Sequence, residues 1–208
     1  IWADIICPWC GLGSFRLDRA LESFEHRDEV EVIYHSFLLD PSASTEVRSV
    51  RDMLTSKYNL DEAGFNQATG RIEALASAEG LTPYHVGDNV VASTRLVHEF
   101  LAFATAQGAN TTAWKAVFNA YFGERRSVFS IDDLVQLAPE IGLDGEAVRT
   151  ALTEGTYRTA VDDDAATART FGVSGVPFYL IDGAYGVSGA QDTETLLGAL
   201  NEIWAKSH

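Results

Sequence analysis

The chain has 208 residues, 46% hydrophobic and 22% charged, enough apolar material for one large domain or a smaller one carrying an insertion. Asp and Glu number 30 against 15 Lys and Arg, a net charge of −15 that repels nucleic-acid phosphates and anionic membrane surfaces. No apolar run approaches the ~18 residues of a membrane-spanning helix, and no basic head leads into an apolar signal core.

Residues 1–6 (IWADII) read as a short buried strand with Trp2, Asp4 and Ile6 on one face. Leu17, Ala20, Leu21 and Phe24 then fall at i, i+3, i+4 and i+7, the apolar stripe of a helix. Residues 30–39 (VEVIYHSFLL) are β-branched and aromatic, a second strand. Strand, helix and strand in this order imply a parallel pair with a right-handed crossover. From about 46 to 168 the periodicity is helical. Leu96–Phe103 is apolar almost all round, Trp114, Val117, Phe118, Tyr121 and Phe122 form a stripe, and Leu134, Val135, Leu137, Ala138 and Ile141 form another behind a cap at Ser130 or Asp132. Phe178–Ile181 and Tyr185–Ser188 flank Asp182-Gly183, a strong hairpin signal. A last helix starts at an Asp192 cap and turns Leu196, Leu197, Leu200, Ile203 and Trp204 inward. The expected class is α/β: a βαβ…ββα unit from 1–45 and 168–208, with 46–167 as a large all-helical insertion.

Both cysteines of the chain sit in Cys7-Pro8-Trp9-Cys10, at a strand-to-helix junction. Pro8 suits a first helical turn, where a missing N–H leaves no bond unmade. A sulfur at the helix start faces unpaired backbone N–H groups and the positive end of the helix dipole, which favour thiolate over thiol. Cys7 is therefore the expected nucleophile and Cys10, one turn inside, the resolving thiol. Trp9 lies between them and is expected to tune access to sulfur. The competing reading is half a zinc site, but no two of His26, His35, His85, His98 and His208 have the H-x₃₋₅-H spacing, and two cysteines cannot make a four-cysteine site.

The second element is Gly175-Val176-Pro177, where Pro177 leads the strand Phe178–Ile181. Taken with the cysteine motif, Val173-Ser174-Gly175-Val176-Pro177-Phe178 resembles the DsbA-like thioredoxin superfamily, and more narrowly its FrnE-type branch. The likeness runs over nearly the whole chain. It takes in Asp4, Ser36-Phe37-Leu38-Leu39-Asp40-Pro41, Asn89 to Leu96, Ala120-Tyr121-Phe122 and Ser188-Gly189-Ala190-Gln191. The resemblance implies a thioredoxin-like fold and a cis Val176–Pro177 bond lying against the cysteine pair. It also implies a Val176 backbone that pairs with extended substrate beside Cys7, and a helical lid over the motif. The chain departs from the branch at Leu38 and Asp40, at Asn89-Val90 and at Ser93-Thr94-Arg95-Leu96, positions expected to line the cleft between lid and motif.

The function so implied is thiol–disulfide exchange on protein or low-molecular-weight thiols. It uses a recycling thiol donor or acceptor, with glutathione a possible co-substrate, and needs no metal or organic cofactor. The same superfamily holds kappa-class glutathione transferases and hydroxychromene carboxylate isomerases, which activate glutathione with a serine where this chain has Cys7. A partner-binding module with idle cysteines is the non-enzymatic alternative. Two cysteines confined to one motif leave no structural disulfide beyond that pair, so the expected compartment is the cytoplasm.

Asp4 has two readings, a buried carboxylate that takes a proton from Cys10, or a partner of backbone N–H groups near the helix start. His98 and His35 read as structural histidines, Arg95 as half of a surface or lid ion pair ahead of a contact for an anion in the cleft, and Asp162-Asp163-Asp164 as an acidic cluster at a helix N-terminus or part of the acidic solvated face.

Overall fold

The computed structural model describes residues 1–207. In chain order it runs β1 (Trp2–Ala3), α1 (Pro8–Glu22), β2 (His35–Ser36), β3 (Arg48–Ser49), α2 (Val50–Tyr58), α3 (Glu62–Ala78), β4 (Val90–Val91), α4 (Arg95–Ala106), α5 (Asn110–Phe118), α6 (Ile131–Leu137), α7 (Gly145–Glu154), α8 (Arg158–Thr170), β5 (Phe178–Ile181), β6 (Tyr185–Ser188) and α9 (Thr193–Ser207).

The main sheet has the order β2-β1-β5-β6. β1 and β2 are parallel, Trp2 opposite His35, with α1 crossing between them, so the βαβ unit is present. β5 lies antiparallel to β1, and β6 returns antiparallel to β5. Asp182 and Gly183 take the hairpin corner at φ 51° and 65°, and the Ala184 N–H donates to the Ile181 carbonyl at 3.1 Å. This is a thioredoxin-like sheet, with β-α-β at one end of the chain and β-β-α at the other.

The ladders are shorter than the apolar runs suggested, and side chains of α5 explain much of the difference. In the 30–39 run only His35 and Ser36 are strand. Upstream, Tyr34 exchanges backbone hydrogen bonds with the Asn110 side chain, at 2.8 and 3.0 Å, and the Thr111 hydroxyl donates to the Val32 carbonyl at 2.7 Å. The helix thus supplies partners that a neighbouring strand would otherwise supply. The first run is corrected too: the strand ends at Ala3, and Asp4 begins a turn closed by the Cys7 N–H on the Asp4 carbonyl, 3.2 Å.

α1 and α9 cover one side of the sheet, Leu17, Ala20 and Phe24 against Leu196 and Leu200. Asp192 accepts the Thr195 N–H at 2.7 Å, as a cap does. Leu197 and Trp204 are only half-buried, Trp204 stacking on His26 at 4.1 Å. Between β2 and β5 lie seven helices among the described residues. The pattern did not signal the two-residue antiparallel ribbon of β3 and β4 that joins them. Ser130, not Asp132, caps α6 in a reciprocal arrangement with Asp133. The apolar stripes of α4 and α5 close one core with α1: Val97, Phe100 and Trp114 cluster with Cys10 and Leu12.

Candidate active site

Cys7 is the N-cap residue of α1, with extended backbone (φ −83°, ψ 108°), and Pro8 opens the helix. Its carbonyl accepts the Cys10 N–H at 2.9 Å, so the four-residue motif is the first turn itself. The two sulfurs are free thiols. Cys7 is 6% exposed and Cys10 2%; Pro8 and Trp9 between them are half-exposed.

The loop before β5 meets this turn from the other side. The Cys7 thiol donates to the Val176 carbonyl at 3.6 Å, and the Val176–Pro177 peptide bond is cis. Gly13 lets Pro177 come so close: a Cβ there would stand 3.1 Å from the Pro177 ring and overlap the Tyr179 hydroxyl. Gly11 does the same for the helical segment. A Cβ at that position would overlap the hydroxyl of Tyr84, which donates to the Pro8 carbonyl at 2.5 Å. Tyr84, which nothing in the sequence pattern singled out, thereby ties the segment between α3 and β4 to the motif.

Burial pushes the Cys10 thiol well above its ordinary value. The hydrogen bond and charge of Cys7 add to this, a backbone N–H bond from Asp4 opposes it, and the Asp4 carboxylate adds a smaller upward push. A group raised in this way stabilises the fold below its unfolded value and loses that contribution as pH climbs toward the folded value. The reduced protein should therefore lose stability as pH passes about 9, ahead of the buried tyrosines. Tyr34, Tyr84, Tyr121 and Tyr179 are all held up by desolvation from their ordinary value of 10.0. Urea melts near pH 8 and pH 9.5 check this: the loss should appear in the dithiol form and be much smaller after oxidation removes the thiol. Equal losses in both forms would rule the cause out.

Asp4 and His98 are both fully buried. Asp4 Oδ1 lies 3.1 Å from His98 Nε2, and Oδ2 accepts the Leu39 N–H at 2.8 Å. The carboxylate thus bonds β2's outgoing loop and α4, rather than N–H groups at the start of α1. His98 has a partner, as a core histidine needs, but that partner is an acid at the entry to the motif turn whose charge reaches Cys10. Sequence reasoning missed the pairing. The signal was there: one acid in an apolar run and one histidine in an apolar helix, each needing a buried partner.

The helix-start reading of the acidic run is corrected, while Asp162 and Asp163 do face solvent. Asp162–Asp164 lie in the middle of α8, which begins at Arg158. Asp162 pairs with Arg95 at 2.9 Å, confirming that ion pair, and Asp164 accepts from the Ser36 N–H at 2.7 Å while meeting His35 Nδ1 at 2.8 Å. Asp164 caps the open edge of β2, so these side chains bind the helix to the sheet. His35 also stacks on Trp2 at 5.0 Å, a structural role.

A cleft of about 430 Å³ opens over Cys7, Pro8 and Trp9, walled by α2, α3 and the Tyr121-Phe122 turn. Val50, Met53, Leu54 and Ile72 make it mainly apolar, with Asp40, Glu46, Arg48 and Lys57 around it. Of the positions expected to line it, Asp40 does; Asn89 is buried elsewhere on the His85 carbonyl, and Arg95 is engaged with Asp162. Among the described residues, no three His, Cys, Asp or Glu side chains converge as a metal site requires.

The sequence profile of the DSBA-like thioredoxin domain matches residues 1–201. The chain belongs to that family. A probable DsbA oxidoreductase from Streptomyces coelicolor is 40% identical and superposes with a TM-score of 0.93, over 99% of this chain and 88% of its own. The Bacillus subtilis (strain 168) protein YwbO is 27% identical over 158 residues, 76% of this chain and 72% of its own. DsbM from Pseudomonas aeruginosa, a cytosolic disulfide reductase also solved with GSH, shares the fold at a TM-score of 0.63. It is 18% identical, over 98% of this chain and 97% of its own. No helix of this chain's described residues is long and apolar enough to cross a membrane.

Proposed function

We propose that this DsbA-like protein catalyses thiol–disulfide exchange through Cys7 and Cys10. One observation carries the reading: Cys7 caps the α1 N-terminus beside the Val176 carbonyl, with a raised Cys10 thiol buried one turn away. Cys7 attacks the substrate disulfide, a mixed disulfide forms, and Cys10 displaces the substrate sulfur. Pro8 sets the turn, Trp9 shapes access from the cleft, and the Val176 backbone with Pro177 holds the substrate chain beside Cys7. Asp4 takes up the Cys10 proton. Residues 46–167 act as the lid on an exchange domain made of 1–45 and 168–208. Substrates are protein or low-molecular-weight thiols and disulfides, an external thiol donor or acceptor recycles the pair, and the cytoplasm is the compartment that suits a chain with cysteines only in its redox motif.

Equilibration in glutathione redox buffers, then alkylation and intact-mass measurement, tests this and sets the direction of the reaction. The expected result is one two-electron transition from dithiol to a Cys7–Cys10 disulfide. Thiols that persist in the most oxidising buffer, or two independent glutathione adducts, would sink the proposal.

A further inference from the structure

The Asp4–His98 pair is the part of the core that fold and packing alone leave unexplained. Two fully buried polar side chains from β1's end and α4 meet at 3.1 Å, where an apolar pair of similar volume would pack without desolvation cost. Asp4 is held at both oxygens, by Leu39 and His98. His98 is held at one nitrogen only, since Nδ1 is buried with no hydrogen-bond partner. The tautomer with its hydrogen on Nε2 makes the one available bond and leaves no N–H unmatched. The His98 ring is fixed from the side by Trp114, tilted on it at 5.5 Å. His98 from α4 and the Leu39 amide meet the Asp4 side chain directly, the Asp4 carbonyl accepts the Cys7 N–H at 3.2 Å, and the Asp4 charge reaches Cys10 on α1 and Tyr121, whose hydroxyl donates to the Val90 carbonyl at 2.8 Å. The next residue along α4, Glu99, turns to Arg158 instead, at 3.6 Å.

We propose that His98 is a positioning residue for the resolving half of the exchange: its Nε2–H fixes the Asp4 carboxylate at the entry to the motif turn, so that Asp4 takes the Cys10 thiol proton as the mixed disulfide is resolved. This rests on the exchange reading above. Cys7 has by then displaced one substrate thiolate and carries the other half of the substrate as a mixed disulfide. The Cys10 S–H bond breaks and its proton passes to Asp4. The Cys10 sulfur attacks Cys7 Sγ, the Cys7–Cys10 bond forms, and the Cys7–substrate bond breaks. The second substrate thiolate leaves and is protonated by water, and Asp4 returns its proton to solvent. The cysteine pair is oxidised by two electrons, and the substrate disulfide is reduced to two thiols.

Dithiobis(nitrobenzoate) separates the two steps, because its coloured thiolate is released once when Cys7 attacks and again when Cys10 resolves. His98→Leu should slow the second release about 100-fold relative to the first. The second rate should then climb with pH, as hydroxide replaces the misplaced carboxylate. His98→Gln, whose side-chain N–H reaches the same oxygen, should restore most of it. If His98→Leu does not fold, Asp4→Asn serves instead. It should lose the second phase selectively, and adding His98→Asn, whose side chain is too short to reach Asp4 and which alone should slow that phase, should slow it no further. A second phase within about twofold of wild type in a folded variant, or two phases slowed together, would overturn the role of His98. A wild-type protein that releases no thiolate at all would instead sink the exchange reading itself.

Discussion

In Cys10→Ser, a small disulfide should leave a stable adduct on Cys7 and turnover should stop; in Cys7→Ser, no adduct should form. The asymmetry follows from the geometry of one helical turn. Cys7 stands at the capping position where the loop before β5 reaches it, so in the proposed exchange incoming substrate meets its sulfur first. Cys10 is more deeply buried, its thiol is pushed up by desolvation and by Cys7, and in the proposed exchange it attacks from inside the protein. Well-oriented intramolecular partners act at effective concentrations of about 10⁵ M or more, so substituting millimolar external thiol for Cys10 should slow resolution by at least about a thousandfold. Serine at position 7 removes the nucleophile, since a hydroxyl does not form the anion that attacks disulfides near neutral pH. Mass spectrometry of both variants after exposure to oxidised glutathione reads the outcome. Adduct on Cys10 in Cys7→Ser, at the rate of the native reaction, would reverse the assigned roles.

Trp114→Ala should cost about 3–5 kcal/mol of stability, the range for removing a large aromatic from a core. Trp114 is 1% exposed and joins three parts of the molecule. Its ring stacks on Tyr34 at 5.3 Å, tilts on His98 at 5.5 Å and meets Phe118 at 5.8 Å. Tyr34 passes the contact on to α1, its hydroxyl bonded to Ser14 at 2.6 Å. No neighbour fills the vacated space without dragging the 30–34 segment, which α5 itself hydrogen-bonds. Denaturant midpoints with an unchanged m-value would give the number. A loss under about 1 kcal/mol would show that α5 does not hold the sheet and motif together. Because the ring also braces His98, exchange in this variant should fall in its second phase more than its first.

Much of the fold could be read from local pattern. The α1 stripe at Leu17, Ala20 and Leu21, the Asp182-Gly183 corner and the α9 core face at Leu196, Leu200 and Ile203 each lie within one element. Backbone geometry there converts spacing directly into a face. Strand lengths were less legible. An apolar extended run meets its bonding needs equally well on a strand or on Asn110 and Thr111, and nothing local distinguishes the two. The acidic run misled for a related reason. Three aspartates suit a helix start by dipole, yet their places in mid-helix follow from partners over 60 residues away in sequence, Arg95 and the edge of β2.

The sequence by itself determined the cysteine pair and its order along α1: cysteines three apart across a strand-to-helix junction, with proline between, set which sulfur caps the helix and which follows one turn inside. Those are local relations, enforced by bonds and helical pitch. Only the tertiary structure decided what surrounds that turn. It brought the Val176 carbonyl to Cys7 from 169 residues away in sequence, set Tyr84 on the Pro8 carbonyl, and joined His98 to Asp4 across 94 residues. Such partners are chosen by packing and by the need to satisfy each buried polar group, and that choice exists only once the chain has closed on itself.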